Sequence, residues 1–179
     1  MTGVNGIAGV VLRRLTAHRD ARGYLAELFR TDWGTGIEPV QWHVLNSTPG
    51  ALRGIHLHLA HTDYKIVVAG HQLLALLDLR LGSPSEGAVE VFELSADDPV
   101  AVLIPPGVGH GLYSYDQSAS VVGVTALYDG ADDFACLWSD PAHGITWPAV
   151  PTSVSDRDAS APRLDELRSQ LGERLRLAT

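Results

Sequence analysis

The sequence predicts an all-β sandwich or barrel, followed by one short helix at the C-terminal end. Short apolar runs recur at intervals of roughly ten residues, with Gly, Pro, Asp and Ser between them as turn signals. Residues 88–94 alternate between the two faces of a strand, so that Phe92 and Leu94 share one face. Near the end of the chain, leucines recur at helical spacing, at positions 164, 167, 171 and 175.

The elements follow in chain order. Apolar runs long enough to cross a sheet lie at residues 24–29, 40–45, 64–70, 71–80, 88–94, 100–105 and 120–128. The run at 71–80 contains LLALL, which could also be helical, but it is short and lies between Gly70 and the turn GSPSEG, which favours a strand. Residues 130–152 contain three Pro and two Trp and are predicted to be irregular. Pro162 lies near the start of the predicted helix.

Composition excludes several function classes. The 179 residues are 45% apolar and 19% charged, which predicts one globular domain over residues 1–179. The net charge is −8 and no basic stripe is present, so we expect no nucleic-acid partner. Neither a signal-peptide pattern nor a run of about 18 apolar residues appears, so no membrane segment is expected. Cys136 is the only cysteine, which is typical of a cytoplasmic protein.

The chemistry is concentrated in RGIHLHLAHTDYKIVVAG, residues 53–70. His56 and His58 share one face if this segment is extended. His56 can accept a proton at neutral pH, a buried carboxylate could hold its tautomer, and Lys65 could stabilise an oxyanion while a carbonyl enolises. Arg53 can offer two donors to a phosphate. The alternative interpretation is a hydrogen-bonded core histidine with two surface cations.

The same histidines fit a metal motif. Gly54 to Gly70 reads G-x-H-x-H-x(4)-D-x(6)-G, and Pro105 to His110 reads P-x-G-x-x-H. Both segments resemble the two metal motifs of cupins, with Asp in place of the usual Glu. One hypothesis is therefore a divalent metal, Fe, Mn, Ni or Zn, held by His56, His58, Asp63 and His110.

A second resemblance extends along nearly the whole chain. It is carried by DARGYLAELFR (20–30), PGALRGIHLH (49–58), LIPPGVGHGL (103–112), LWSDPAHGITWP (137–148) and SDRDASAP (155–162), among other segments in the same order. The chain resembles the dTDP-4-dehydrorhamnose 3,5-epimerase family, which are metal-free sugar epimerases. The resemblance implies a cupin-type β-sandwich (jelly roll), a homodimer without a cofactor, and a place in deoxysugar or antibiotic-sugar biosynthesis.

The resemblance also implies roles for individual residues. His56 corresponds to the general base, Asp158 to the carboxylate that pairs with it, and Lys65 to the residue near the keto oxygen. The remaining correspondences are substrate-binding: Arg22 and Arg53 for phosphates, Glu27 near the nucleotide, His110 as the second active-site histidine, and Tyr128. Because N-terminal segments of family members reach the neighbouring site, Arg22 and Glu27 are expected to act across the dimer interface.

The sequence departs from the family at important positions. Val122 lies where the family has the tyrosine that acts as the acid, and His58 lies where Gln is usual. Because epimerisation takes a proton from one face and returns one to the other, a donor is missing. The departures leave open epimerisation at one carbon with Tyr128, Tyr113 or water as donor, and a same-face isomerisation or elimination. Three further hypotheses are a repurposed enzyme for a non-sugar natural product, a metal-dependent cupin and a non-catalytic binding module.

Four histidines outside the motifs are predicted to lie in loops or on the surface: His18, His61, His71 and His143.

Overall fold

A computed structural model describes residues 6–128 and 130–176. Two five-stranded antiparallel sheets pack face to face, and they confirm the predicted β-sandwich. The first sheet has the order β1-β9-β6-β11-β4, and the second has the order β12-β5-β10-β7-β8. A separate hairpin is formed by β2 and β3.

The strand bounds are β1 Val11–Arg14, β2 Ala17–Asp20, β3 Gly23–Ala26, β4 Gln41–Ser47, β5 Leu52–Leu57, β6 Asp63–Ala69, β7 His71–Asp78, β8 Val89–Ser95, β9 Val100–Ile104, β10 Val108–Ser114, β11 Ser118–Val124 and β12 Phe134–Ala135. Each predicted apolar run overlaps one of these strands. The run at 24–29 contributes only its first three residues to β3, and the run at 120–128 leaves the sheet after Val124. Residues 71–80 contain the strand β7, as predicted, and not a helix.

The second sheet is covered on both faces, which explains why β7 is apolar almost throughout. Leu74 and Leu76 point toward the first sheet, where they pack with Leu94 and Val102. Alternate residues of β7, such as Leu73, point outward into a second apolar cluster. A strand buried on both faces shows a continuous apolar run and no alternation.

The helix predicted at the C-terminal end is present. Helix α1 spans Asp156–Ala159, α2 spans Leu164–Leu171, and a 3₁₀ turn continues over Gly172–Leu175. All four predicted leucines are buried against the outer face of the second sheet. The last residues of the predicted tail lie outside the described residues. In the described part of the chain, no helix has the length and apolar character needed to cross a membrane.

Candidate active site

A cavity of about 380 Å³ lies between the two sheets at the end formed by β4, β11 and β6 on one wall and β5 and β10 on the other. Its lining is rich in histidine, although the neighbouring buried cluster around Leu74 and Val102 is aliphatic. The lining residues are Gln41, His43, Leu45, Arg53, His56, His58, His61, Asp63, Lys65, His110, Leu112, Val122, Val124, Ala126, Tyr128, Asp133 and Arg157.

The predicted pairing of His56 with Asp158 is present. The Nε2 atom of His56 lies 2.8 Å from Oδ1 of Asp158, which is almost fully buried. The other carboxylate oxygen accepts the backbone N–H of Gly54 at 3.0 Å. Burial raises the pKa of Asp158, but the hydrogen bonds from His56 and Gly54 outweigh it and hold that pKa below its ordinary value. An ionised Asp158 accepts from Nε2–H, which leaves Nδ1 of His56 as the basic nitrogen.

Local backbone structure positions both members of this pair. The side chain of Ser155 caps α1 by accepting the N–H of Asp158, so the carboxylate is held at the first turn of the helix. On β5, a register shift opposite β10 lets Arg53 and His56 line the same cavity although they are three residues apart. Gly54 occupies this bulge at φ +117°, and a Cβ there would lie 2.7 Å from the carbonyl oxygen of His110.

Lys65 lies on the opposite wall, and its side chain is buried. Its side chain is 2% exposed, and its Nζ has no hydrogen-bond partner among the described residues. Burial lowers the pKa of Lys65 to about 7, and the neighbouring Arg53 adds to the effect while Asp63 opposes it. A buried ammonium without a partner is costly unless an anionic group satisfies it.

The other histidines gather around Asp63. His61 Nε2 and His110 Nε2 lie 3.4 Å and 3.3 Å from its two carboxylate oxygens. Burial raises the pKa of Asp63, but the hydrogen bond from His61 and the nearby histidines outweigh it, so that pKa falls to about 2. Burial lowers the pKa of His110 to about 3, so the ring is neutral at physiological pH. His58 Nδ1 lies 2.8 Å from the carbonyl oxygen of Asp132, which leaves its Nε2 free to bind.

Two sequence predictions are met only in part here. His61 lies in the loop before β6, as predicted, but it is buried, stacks on His58 at 4.1 Å between ring centroids and contacts both Asp63 and Asp132. The predicted four-residue metal set is only partly assembled. Nitrogen or oxygen atoms of His58, Asp63 and His110 lie within 4.8 Å of one another, but His56 is not in that group and instead contacts Asp158.

The other three predicted surface histidines differ in their surroundings. His143 lies in the 3₁₀ turn Pro141–His143, within the segment predicted to be irregular, and it is buried, with Nε2 3.0 Å from the carbonyl oxygen of Trp138. His18 is exposed, and His71 is partly exposed beside Glu93.

The predicted substrate-binding residues divide into two groups. Arg53 lines the cavity, and its guanidinium donates to Ser47 Oγ at 3.0 Å and to the carbonyl oxygen of Asn46 at 2.6 Å. Tyr128 lies at the mouth, 64% exposed. Arg22 and Glu27 do not line this cavity; Arg22 pairs with Asp20, and Glu27 pairs with Arg30.

Sequence reasoning missed a second cation at the mouth. Arg157 precedes Asp158 in the chain and forms an ion pair with Asp133, with Nη2 2.7 Å from Oδ1. The position of Arg157 beside a predicted site residue in SDRDASAP was the signal that could have found it. Gln41 was also missed as a site residue, because a single polar residue in an apolar strand does not reveal what it faces.

The candidate proton donors differ in their access to the cavity. Val122 lines the cavity on β11 and is almost fully buried. Tyr113, one predicted replacement for the missing tyrosine, points to the other side of the second sheet and packs with Leu57 and Cys136. Tyr113 therefore cannot reach the cavity. Tyr128 lies at the rim, where its hydroxyl donates to Asp133 at 3.2 Å.

Comparison with known proteins gives one consistent answer. A family model described as dTDP-4-dehydrorhamnose 3,5-epimerase matches residues 5–166. A protein of the same description from Sinorhizobium fredii is 34% identical over 171 residues, which cover 90% of this chain and 88% of the relative.

Solved structures agree with the sequence matches. The crystal structure of ChmJ, a 3′-monoepimerase from Streptomyces bikiniensis in complex with dTDP-quinovose, superposes with a TM-score of 0.87 at 31% identity, covering 96% of this chain and 91% of that one. NovW, a 4-keto-6-deoxy sugar epimerase from the novobiocin biosynthetic gene cluster of Streptomyces spheroides, superposes with a TM-score of 0.86 at 29% identity, covering 92% and 87%.

Proposed function

The chain belongs to the dTDP-4-dehydrorhamnose 3,5-epimerase family, and from this premise we propose that it epimerises a dTDP-4-keto-6-deoxysugar in deoxysugar or antibiotic-sugar biosynthesis. The observation that carries the proposal is the His56–Asp158 pair, which faces a cavity whose opposite wall holds an unpartnered Lys65. A base on one wall and a cation on the other is what proton removal next to a ketone requires.

The reaction begins at a carbon next to the keto group. Nδ1 of His56 takes the proton, the C–H electron pair becomes a C=C bond, and the C=O π pair moves to the oxygen. Lys65 stabilises this oxyanion, and Asp158 stabilises the imidazolium that His56 becomes. Return of a proton to the opposite face restores the ketone with inverted configuration.

The buried setting strengthens each of these interactions. Lys65 is almost fully buried and pairs with Val102 of β9 and Val122 of β11, so water screens its attraction to an oxyanion only weakly. Since the pKa of Lys65 is lowered to about 7, the ammonium is also able to give a proton to the enolate oxygen near neutral pH.

Cations at the mouth suit the diphosphate of a nucleotide sugar. Arg53 is held by two hydrogen bonds, and Arg157 is held by Asp133, so each guanidinium is fixed before the substrate arrives. Fixed guanidinium groups bind phosphate with little loss of side-chain entropy.

The proposed assembly is a homodimer. β4 is an edge strand of the first sheet, and it exposes Trp42 and Val44 on its outer side, with Val40 just before it. An exposed apolar edge strand is suited to cover by a second copy. Arg22 and Glu27 lie outside this chain's own cavity, which fits the expectation that they act at the partner's site. Sedimentation of wild type and Val44→Lys tests this: a dimer that the substitution dissociates supports the assembly, and a wild-type monomer contradicts it.

The experiment that tests the function follows hydrogen at carbon. The purified protein is incubated with dTDP-4-keto-6-deoxyglucose in D₂O, and NMR follows deuterium at C3 and C5 together with the appearance of epimers. We expect exchange and inversion at one or both carbons, a loss of about 10³-fold in His56→Asn, and no change in His71→Asn. Exchange at neither carbon by the wild-type protein would contradict the proposal.

A second candidate is metal-dependent chemistry at the group formed by His58, Asp63 and His110. Two imidazoles and a carboxylate suit Fe, Zn, Mn or Ni, and the bond from His58 Nδ1 to a backbone carbonyl orients that ring as in many metal sites. A bound metal would supply Lewis-acid polarisation of a carbonyl. Elemental analysis decides: one equivalent of metal, lost together with activity in His58→Ala, supports this candidate, and full activity after chelation with no metal present contradicts it.

A further inference from the structure

The proposed epimerisation needs a second group, a proton donor, that has not yet been identified. His56 lies on the wall formed by the second sheet and is paired with Asp158 of α1, so a proton donor to the opposite face of the enolate must come from the wall formed by the first sheet. In the family the acid is a tyrosine at the position of Val122. The side chain of valine has no acidic proton to donate. Among the cavity residues that the structure describes, Tyr128 is the only tyrosine, and it lies at the exposed rim.

The strand register identifies the neighbour of the lost tyrosine. Val122 of β11 lies directly opposite His43 of β4 on one side and Lys65 of β6 on the other. Residues paired in this way on antiparallel strands point to the same face, with Cβ atoms about 4.5–5.5 Å apart. His43 therefore projects from the same wall as the family tyrosine would, one strand further from Lys65.

His43 also has the free atom that the role needs. Its ring lines the cavity, and its Nδ1 is buried without a hydrogen-bond partner in the described part of the chain. The other histidines of the cavity have at least one ring nitrogen near a carboxylate or a carbonyl: His61 and His110 contact Asp63, His58 contacts the backbone of Asp132, and His56 contacts Asp158. His110 Nδ1 is also unpartnered among the described residues, but His110 projects from the wall formed by the second sheet. A buried ring nitrogen without a partner is costly unless a ligand satisfies it.

We propose that His43 supplies the proton to the face of the enolate opposite His56, in place of the missing tyrosine. The inference rests on the proposed function. After His56 has removed the first proton, the oxyanion electron pair re-forms the C=O bond, the C=C electron pair takes the proton from the His43 imidazolium, and His43 becomes neutral. His56 then loses its proton to solvent and His43 regains one, so the enzyme returns to its starting state.

The electrostatics of His43 agree with a donor role. Burial lowers the pKa of His43. The charge of Asp63 opposes this shift, whereas Lys65, His61 and His58 lower the pKa of His43 further. A lowered pKa makes the imidazolium a stronger acid and so a better donor to carbon, and the charge of Asp63 limits the lowering.

The test separates proton removal from inversion. With dTDP-4-keto-6-deoxyglucose in D₂O, His43→Asn retains His56, so it should still exchange deuterium into the starting sugar through the His56 face. We expect exchange within tenfold of wild type and inversion at least 10²-fold slower. Adding Val122→Tyr to the His43→Asn protein restores a donor on the same wall and should recover inversion at least tenfold.

The outcomes are distinct. Inversion by His43→Asn at the wild-type rate overturns the inference and leaves the proposed function intact. Equal loss of exchange and inversion, without rescue by Val122→Tyr, also overturns it, because that result indicates a role in binding. Absence of exchange by wild type would overturn both proposals. His71→Asn, a partly exposed histidine on β7, is the matched control and should behave as wild type.

Discussion

The two halves of the sandwich interior lie between the same two sheets but have opposite chemistry. Across the first sheet, one row of residues in register reads His43, Val122, Lys65, Val102 and Leu12, from β4 to β1. The row holds a histidine and a buried lysine on either side of Val122, and it ends in the aliphatic side chains of Val102 and Leu12. The second sheet changes in the same direction, from His56 through His110 to Leu76.

The halves differ in how their polar groups are satisfied. In the apolar half, the cluster of Leu74, Leu94, Val102 and Ile104 is closely packed and contains no charge. In the polar half, Lys65 Nζ and ring nitrogens of His43 and His110 are buried without partners in the described residues. Burying such groups lowers stability, so the polar half is supported by the apolar half beside it. The residues that stabilise the fold and the residues proposed to react therefore lie on different strands, and not at different ends of the same strands.

The largest expected effect comes from removing the base in the polar half. His56→Asn should lower kcat by about 10³-fold, because proton removal from carbon depends on a positioned base. The free energy of unfolding should change by less than about 1 kcal/mol, since His56 is partly exposed and Asp158 keeps its bond from Gly54. Steady-state kinetics and urea unfolding measure the two quantities. A large loss of stability with little loss of turnover would contradict the division between halves.

A substitution in the apolar half should do the opposite, lowering stability while leaving turnover nearly unchanged. Leu94 is 3% exposed on the edge strand β8, far across the sheet from β5. Leu94→Ala should lower the free energy of unfolding by about 2–5 kcal/mol, because it opens a cavity in a packed cluster. At temperatures where the variant stays folded, kcat should remain within about twofold of wild type. A tenfold slower turnover by the folded variant would show that the halves are coupled.

Lys65→Met sharpens the comparison because it should improve stability while it harms activity. The folded-state pKa of Lys65 is about 7, below the ordinary 10.5, so the folded protein resists protonation. The penalty is full below pH 7, shrinks between pH 7 and 10.5 and vanishes above that range. We expect Lys65→Met to be more stable by on the order of 2 kcal/mol at about pH 6, with a smaller gain at about pH 9. Urea unfolding at both pH values measures this, and a gain that grows with pH would have the wrong sign.

The smallest effect is expected at the rim. Tyr128 is exposed, and its hydroxyl contacts Asp133 at the mouth. Tyr128→Phe removes one exposed hydrogen bond, so KM should rise by about two- to fivefold while turnover stays within about twofold of wild type. If turnover instead became about a hundredfold slower with normal deuterium exchange, Tyr128 would be identified as the donor, and the result would count against His43.

Several features could be predicted from sequence because their signals are local. The spacing of apolar runs indicated most strands, and the leucines of the tail indicated the buried face of the helix. The pairing of His56 with Asp158, 102 residues apart, came only through resemblance to a family, because no local pattern connects the two segments. The prediction of their contact is confirmed, while the role of His56 as base stays a prediction.

Other features depended on neighbours that sequence spacing does not reveal. His61 has no periodic signal, and it is buried between the nearby Asp63 and Asp132, which comes from a distant part of the chain. Tyr113 and Leu112 are adjacent on β10, so they point to opposite faces, and only the register shows which one enters the cavity. The metal motif likewise did not reveal that His56 contacts Asp158 of α1, while His58, Asp63 and His110 gather as a separate group.

The sequence alone determined that the chain is a β-sandwich with a leucine-lined terminal helix, since strand alternation and helical periodicity are written in local spacing. It also singled out the segment 53–70 as the chemical centre, because an arginine, histidines and the only lysine lie close together there. Only the tertiary structure decided which histidines share a wall, which carboxylate each one meets, and that His43 lies beside Val122. Each of these facts depends on which residues of neighbouring strands lie opposite one another. That register is set only when the strands pair and the two sheets pack.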